Sequence, residues 1–278
     1  MAEKDEHYSE IKPNSPFTLN IKELIEYKEL FYFFAWRDVK VKYKQTTLGF
    51  LWTILQPLIM MFIFTFFFSQ ALRIPPTDMP YPIFVFSGLN LWTIFTGGIS
   101  NAGNSMISNA AIIKKIYFPR LIIPISSILV AVFDFAMAFL VFIAVLVFYQ
   151  QPVHVLQAIV LWPSGLLLTI IASFGPGCLL AALNVKYRDF RYVIPFLIQI
   201  LLFVTPVIYP MSMITNVWMK IIMALNPMYA AITVFRMPLT NTPPDLTLIC
   251  ISMGSAFLFL VCGIYYFRMT ERYFADLA

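Results

Sequence analysis

Five stretches of the chain carry no charged residue: 45–72, 79–113, 135–185, 192–219 and 246–267. A helix rising 1.5 Å per residue needs about 20 apolar residues to cross a hydrocarbon core about 30 Å thick. The uncharged runs predict six such spans: Leu48–Gln70, Pro82–Met106, Leu121–Tyr149, Leu156–Leu183, Val193–Tyr209 and Leu246–Phe267. The expected fold class is an all-α integral membrane protein. It has six transmembrane helices, an amphipathic interface helix ahead of them, and two short re-entrant external helices before the last span. Residues 1–47 form the N-terminal region and residues 48–278 the transmembrane domain.

The segment 211–236 is apolar enough to suggest a seventh span. Lys220 would then sit at mid-membrane and Asn226-Pro227 would break the helix. Two short helices, about 211–225 and 228–236, each too short to cross, fit better. Bent backbone at membrane depth survives only where protein or a water-lined cavity shelters it, so this pair is expected to form an external gate involving Trp218, Asn226, Pro227 and Tyr229. A loop lying on the surface is the alternative.

The N-terminal 45 residues alternate differently. Asn20 is placed to cap a helix with Glu23 three residues on, and Leu19 and Leu24 to form a hydrophobic staple. Ile21, Leu24, Ile25, Tyr32, Ala35 and Val39 gather on one face, and Glu23, Glu26, Arg37 and Lys40 on the other. This predicts a helix lying in the membrane interface with Tyr32 and Trp36 at headgroup level. A soluble arm packed on a partner gives the same pattern.

Composition narrows the class. The 278 residues are 60 % hydrophobic and 12 % charged, against roughly 25 % charged in a soluble domain. Sixteen of the 19 basic residues fall on one side of the six-span map, and only Arg73, Lys220 and Arg236 on the other. By the positive-inside rule both termini are cytoplasmic. The net charge of +5 therefore reads as a basic membrane face and not as a nucleic-acid footprint. The polar start, Met1–Ile11, lacks the apolar core of a signal peptide, so the first span is expected to act as its own insertion signal.

Enzyme chemistry is poorly represented. None of the ten glycines is followed by Lys, which excludes the phosphate-binding Gly-x-x-x-x-Gly-Lys-Ser/Thr. Cys178, Cys250 and Cys262 lie in apolar runs and read as small buried hydrophobes, not disulfides or metal ligands; no metal site or cofactor is expected. The one acid within a span is Asp134. Its insertion cost of about 3 kcal/mol is offset by the 19 Leu, Ile, Val and Phe around it. An intramembrane carboxylate marks a candidate site, and a hydrogen bond to a neighbouring span is the plainer reading. The second span turns small and polar over Thr96–Ser105, which suits close helix packing or the lining of a water-filled path. Aromatic residues make up 17 % of the chain. Beyond interface belts, aromatic planes suit a sliding polymer, and Trp52, Trp92, Phe95, Phe203 and Tyr209 are the candidates, with Asp134, for a channel lining. Two basic-apolar pieces, one holding Ile113, Lys114, Lys115, Tyr117, Phe118, Pro119 and Arg120 and the other Tyr187, Arg188 and Asp189, fit either anionic lipid or a soluble partner.

Several of these residues fall in blocks with a known look. Arg37-Asp38-Val39-Lys40-Val41-Lys42-Tyr43-Lys44-Gln45 running into Leu48–Trp52 and Gln56-Pro57 resembles the opening of type-2 ABC transporter permeases that export polysaccharides. Lys115–Arg120 with Pro124, Tyr187-Arg188-Asp189, Thr205–Pro210 and Leu225–Met228 with Arg236 continue the resemblance in family order. O-antigen permeases are the most similar group, with teichoic-acid and capsule permeases near. The resemblance implies a six-span half-transporter that dimerises in the bacterial inner membrane. Two copies of a separate ATPase chain supply ATP and Mg chemistry, and the cargo is polysaccharide on a polyprenyl diphosphate. It also implies that Ile107–Arg120 is the ATPase coupling region. Arg37, Lys42 and Lys44 become candidate diphosphate contacts, since such groups need fixed positive charge. A permease for a small lipid or drug shares the architecture, and a polyprenyl-phosphate sugar transferase would need acidic clusters that this sequence lacks.

Overall fold

In a computed structural model, residues 21–44, 49–69, 78–187, 189–271 and 274 are described. Two helices, α1 (Ile21–Glu26) and α2 (Lys28–Lys44), precede α3 (Gly49–Phe64), which runs on into a π-helical turn at Thr65–Ser69. Then come α4 (Tyr81–Ser108), the short α5 (Ala110–Ile113), α6 (Ile122–Phe148), α7 (Val155–Lys186) and α8 (Phe190–Val204). The outer pair α9 (Val217–Ala224) and α10 (Met228–Arg236) leads to α11 (Leu246–Glu271). There is no strand among the described residues. Among the described residues five helices are long and apolar enough to cross a membrane, or six with the bent α9–α10 pair taken as one.

α4 is the centre of the bundle. Of its most apolar stretch 78 % is buried, against 11 % for α3. Sequence explains the difference, because α4 carries small residues where neighbours must approach. A Cβ on Gly98 would lie 3.0 Å from Ser173 Oγ, and one on Gly177 of α7 would lie 2.9 Å from the Ala102 Cβ. On the far side of α7 a Cβ on Gly263 would lie 2.0 Å from the Gly175 carbonyl oxygen, so α7 and α11 cross backbone to backbone. The Thr96–Ser105 stretch therefore packs through its glycines and Ala102. Its Ser100, Asn101 and Asn104 face elsewhere, into a groove described below.

The fifth expected span differs in its limits. α8 is 15 residues long, about 22 Å, and stops at Val204 where Val193–Tyr209 was expected. Thr205 precedes Pro206, and the proline ring forces it out of the helical region to φ −85°, ψ 138°. The chain then runs to Tyr209 without helix. The α9–α10 pair bends by 97°. It enters beside the start of α4, where the Tyr81 hydroxyl donates to the Ile208 carbonyl (2.8 Å). It leaves beside the start of α7, where the His154 N–H donates to the Pro238 carbonyl (2.9 Å). Both are the same end of the bundle, so the pair is re-entrant and not a seventh span. Of the cysteines, Cys178 is buried as expected, but Cys250 and Cys262 sit on the outward side of α11. An apolar surface is compatible with a small hydrophobe there as well as in a core.

At this re-entrant end the Asp78 carboxylate accepts from the Thr240 hydroxyl (2.6 Å) and the Asn241 and Thr242 N–H groups (3.0 and 3.1 Å). The Thr240 hydroxyl and the Asn241 N–H, opposed by a smaller burial effect, hold its pKa below the usual carboxylate value of 3.8. A depressed folded value means the contribution is fully present above 3.8 and lost as pH falls through the folded value. Amide exchange at Asn241 and Thr242 is therefore expected to speed up only in strongly acid solution, and in Asp78→Asn to be fast at neutral pH. Equal exchange in the variant and the unaltered chain at pH 7 would refute this.

Candidate functional site

α2 is apolar on two sides, which one amphipathic face does not describe. Phe34 is 1 % exposed and packs on Phe118 at 5.6 Å between ring centroids, with Leu24, Tyr27, Leu30 and Phe31 beside it. Ile25, Tyr32, Phe33, Trp36 and Val41 stay exposed. The capping residue Asn20 lies outside the described residues. From Phe34 the helix climbs the body. Arg37 pairs with Asp38 (2.6 Å) and donates to the Asn109 side-chain oxygen (2.6 Å) at the end of α4. Lys42 pairs with Asp134, and the Tyr43 hydroxyl donates to the same carboxylate. Asp134 lies twelve residues past the start of α6, about 18 Å along its axis. The interface helix is thus inclined along α6. Asp134 is its anchor and not a free channel-lining acid. Lys42 and Tyr43 are the partners that a reading confined to neighbouring spans misses.

Between α2, α4 and α6 opens a groove of about 470 Å³. Arg37, Asp38 and Lys42 line it from α2, Ser100, Asn101 and Asn104 from α4, and Ser127 from α6. It sets two ion-paired cations, Arg37 with Asp38 and Lys42 with Asp134, beside uncharged hydroxyls and amides. Lys44 is exposed at the end of α2.

The expected coupling loop lies at the basic end. Lys114, Lys115, Ile116 and Tyr117 are exposed and line a concavity of about 230 Å³ with Ile113, Phe118 and Arg120. Ile113 and Phe118, expected as contacts, are 5 % and 3 % exposed. Pro119 is also buried. They anchor the loop, and Ile116 takes their place on the surface. Arg120 donates through its backbone N–H and its guanidinium to the Glu271 side chain and carbonyl at the end of α11. The loop is therefore wedged between α2 and the end of α11. Tyr187 and Asp189 are exposed near this end; Arg188 lies outside the described residues.

At the re-entrant end the polar groups close on one another. The Asn226 amide donates to Thr205 Oγ1 (2.6 Å) and its oxygen accepts from the Met228 N–H (3.0 Å). Ser252 donates to the Asn226 carbonyl (2.8 Å) and accepts from the Ala230 N–H (2.9 Å). Asn226, Pro227 and Tyr229 are buried supports of the hairpin, and Trp218 is its exposed member. Arg236 is buried and meets no acid among the described residues. It donates to Ser87 Oγ (3.1 Å) and to the carbonyls of Pro206 (2.9 Å), Phe84 (2.7 Å) and Val207 (2.8 Å), with its guanidinium 3.6 Å from the Phe84 ring centroid. Those of Pro206 and Val207 are carbonyls that the break at Pro206 leaves outside a helix. Charge counting placed Arg236 only on a membrane side. Its role shows once α8 is seen to stop early.

The aromatic candidates divide. Trp92 and Phe95 are 6 % and 2 % exposed and pack on each other in the core, so neither faces a lumen within the chain. Trp52 on α3 and Phe203 on α8 are exposed. Tyr209 is half-buried and donates to the Phe203 carbonyl (2.9 Å). Composition does not separate core from lumen rings, because both are apolar.

The family model for ABC-2 type transporters matches residues 29–240 of this chain. The chain belongs to the ABC-2 type transporter family. Among the relatives of this ABC-2 chain is an O-antigen export system permease protein RfbA of Klebsiella pneumoniae, 29 % identical over 245 residues, 87 % of this chain and 92 % of the relative. An RfbA of Myxococcus xanthus is 29 % identical over 220 residues, 78 % and 82 % of the two chains. The polysialic acid transport protein KpsM of Escherichia coli is 22 % identical over 207 residues, 72 % and 77 %. The matched span takes in the groove, the coupling loop and the re-entrant pair.

Proposed function

We propose that the chain is the membrane subunit of an exporter that moves a polysaccharide, carried on a polyprenyl diphosphate, out of the cytoplasm. The observation that carries this reading is the near full-length similarity to proteins named as O-antigen export permeases. The missing phosphate-binding loop supports an energy source on a separate ATPase chain. Its docking surface is Lys114, Lys115, Ile116 and Tyr117, with Tyr187 and Asp189 alongside. The basic end faces the cytoplasm of a bacterial inner membrane. Two copies pair through the exposed apolar sides of α3 and α8, which brings Trp52, Phe203 and Tyr209 to a shared passage and the outer hairpin, with Trp218, to its mouth.

The diphosphate enters at Arg37, Lys42 and Lys44. Reversing Lys42 and Lys44 together to Glu is expected to impair surface polysaccharide severely while the protein still accumulates in the membrane. Export unchanged at equal protein level would count against these contacts. Co-purification tests the larger reading. A nucleotide-hydrolysing subunit whose turnover depends on this chain is expected, and unaided hydrolysis by the isolated chain would overturn it.

A further inference from the structure

Each cation in the groove between α2, α4 and α6 is met by a carboxylate. Arg37 has Asp38 from its own helix, and Lys42 has Asp134, brought from the middle of α6. The Lys42 side chain remains 43 % exposed and the Asp134 side chain only 19 %. The pair is thus open from the lysine side, where a second anion can approach. Tyr43 also holds Asp134, so a departing lysine would not leave that carboxylate without a hydrogen bond.

Resting on the reading of the cargo as a lipid diphosphate, we propose that Asp134 is a displaceable counter-ion. It clasps α2 to α6 through Lys42 until the diphosphate takes its place, and the side chains of Ser100, Asn101 and Asn104 receive the adjoining sugar. A carboxylate brings one charge on a fixed backbone. A diphosphate brings at least two charges spread over several oxygens and bridges Arg37 and Lys42 at once, which Asp134 does not. The exchange gives up the Lys42–Asp134 pair for diphosphate contacts to both Lys42 and Arg37, the latter shared with Asp38, and that differential affinity is what moves the clasp. Release of Lys42 loosens α2 from α6. Because Phe34 of α2 packs on Phe118, the coupling loop registers that the groove is filled.

The test uses the full chain in phosphatidylcholine nanodiscs and labelled farnesyl diphosphate as probe, with farnesol, inorganic diphosphate and added phosphatidylglycerol as comparisons. An intramolecular competitor present nine-tenths of the time weakens apparent binding about tenfold. Asp134→Asn is therefore expected to bind farnesyl diphosphate about tenfold more tightly than the unaltered chain, and Asp134→Glu to bind like it. Lys42→Gln is expected to bind weakly, and adding Asp134→Asn to it should restore nothing. Where Asp134→Asn does not accumulate, Asp134→Ser serves with the same expected tightening. Binding by the unaltered chain with no tightening in either variant overturns the clasp and leaves the cargo reading standing. Farnesyl diphosphate bound no better than farnesol overturns the cargo reading too. Inorganic diphosphate bound as tightly as farnesyl diphosphate assigns the groove to the free anion, and phosphatidylglycerol bound as tightly assigns it to bulk lipid. Either result overturns the proposal.

Discussion

Arg236→Met is expected to lower stability by about 2–6 kcal/mol, since the Pro206 and Val207 carbonyls lose their donor at about 1–3 kcal/mol each. The contact with the Phe84 ring goes as well. For a domain of this size that lowers the thermal midpoint by on the order of 10 °C at fixed scan rate. Arg236→Lys should fall between. An ammonium has donors for two carbonyls but lacks the planar fork that reaches four acceptors and stacks on a ring. Fluorescence-monitored melting in detergent measures both. A midpoint for Arg236→Met within a degree or two of the unaltered chain would show that the carbonyls find other donors.

A second large effect is expected at the crossing of α7 and α11. Gly263→Ala places a methyl 2.0 Å from the Gly175 carbonyl oxygen, and Gly175→Ala places one 2.5 Å from Leu260 N and the Phe259 backbone. Backbone has no rotamer to yield, so the helices must separate. Overpacking typically costs about 1–3 kcal/mol, and this contact should lie at or above the top of that range. The double variant should cost less than the sum, because one separation relieves both clashes. Gly254→Ala on the same helix meets nothing within 4 Å. It should be neutral or stabilising by up to about 1 kcal/mol through helix propensity. If Gly263→Ala melts with Gly254→Ala, the close crossing is not present in the protein.

Much of the architecture was legible because charge is so costly in a bilayer. Long runs with at most one charge, flanked by charged residues, locate α4, α6, α7 and α11, and Asn226-Pro227 locates the bend of the outer pair. What escaped was decided by distance along the chain. Lys42 and Asp134 are 92 positions apart and Arg236 and Phe84 are 152, and no local pattern links them. Phe34 was hidden because α2 is apolar on two sides, one for the body and one left exposed, so a single-face reading finds neither. The chemistry of Trp92 and Phe95 suits a lumen, but the glycines that draw α4 into the core decide their place.

The wedge at the basic end has a mechanical consequence. Phe118 rests on the first long helix of the chain and Arg120 grips the end of the last. A load applied at Lys115 or Tyr117 is carried outward along both arms of this crossbar, so α2 and α11 tilt in step.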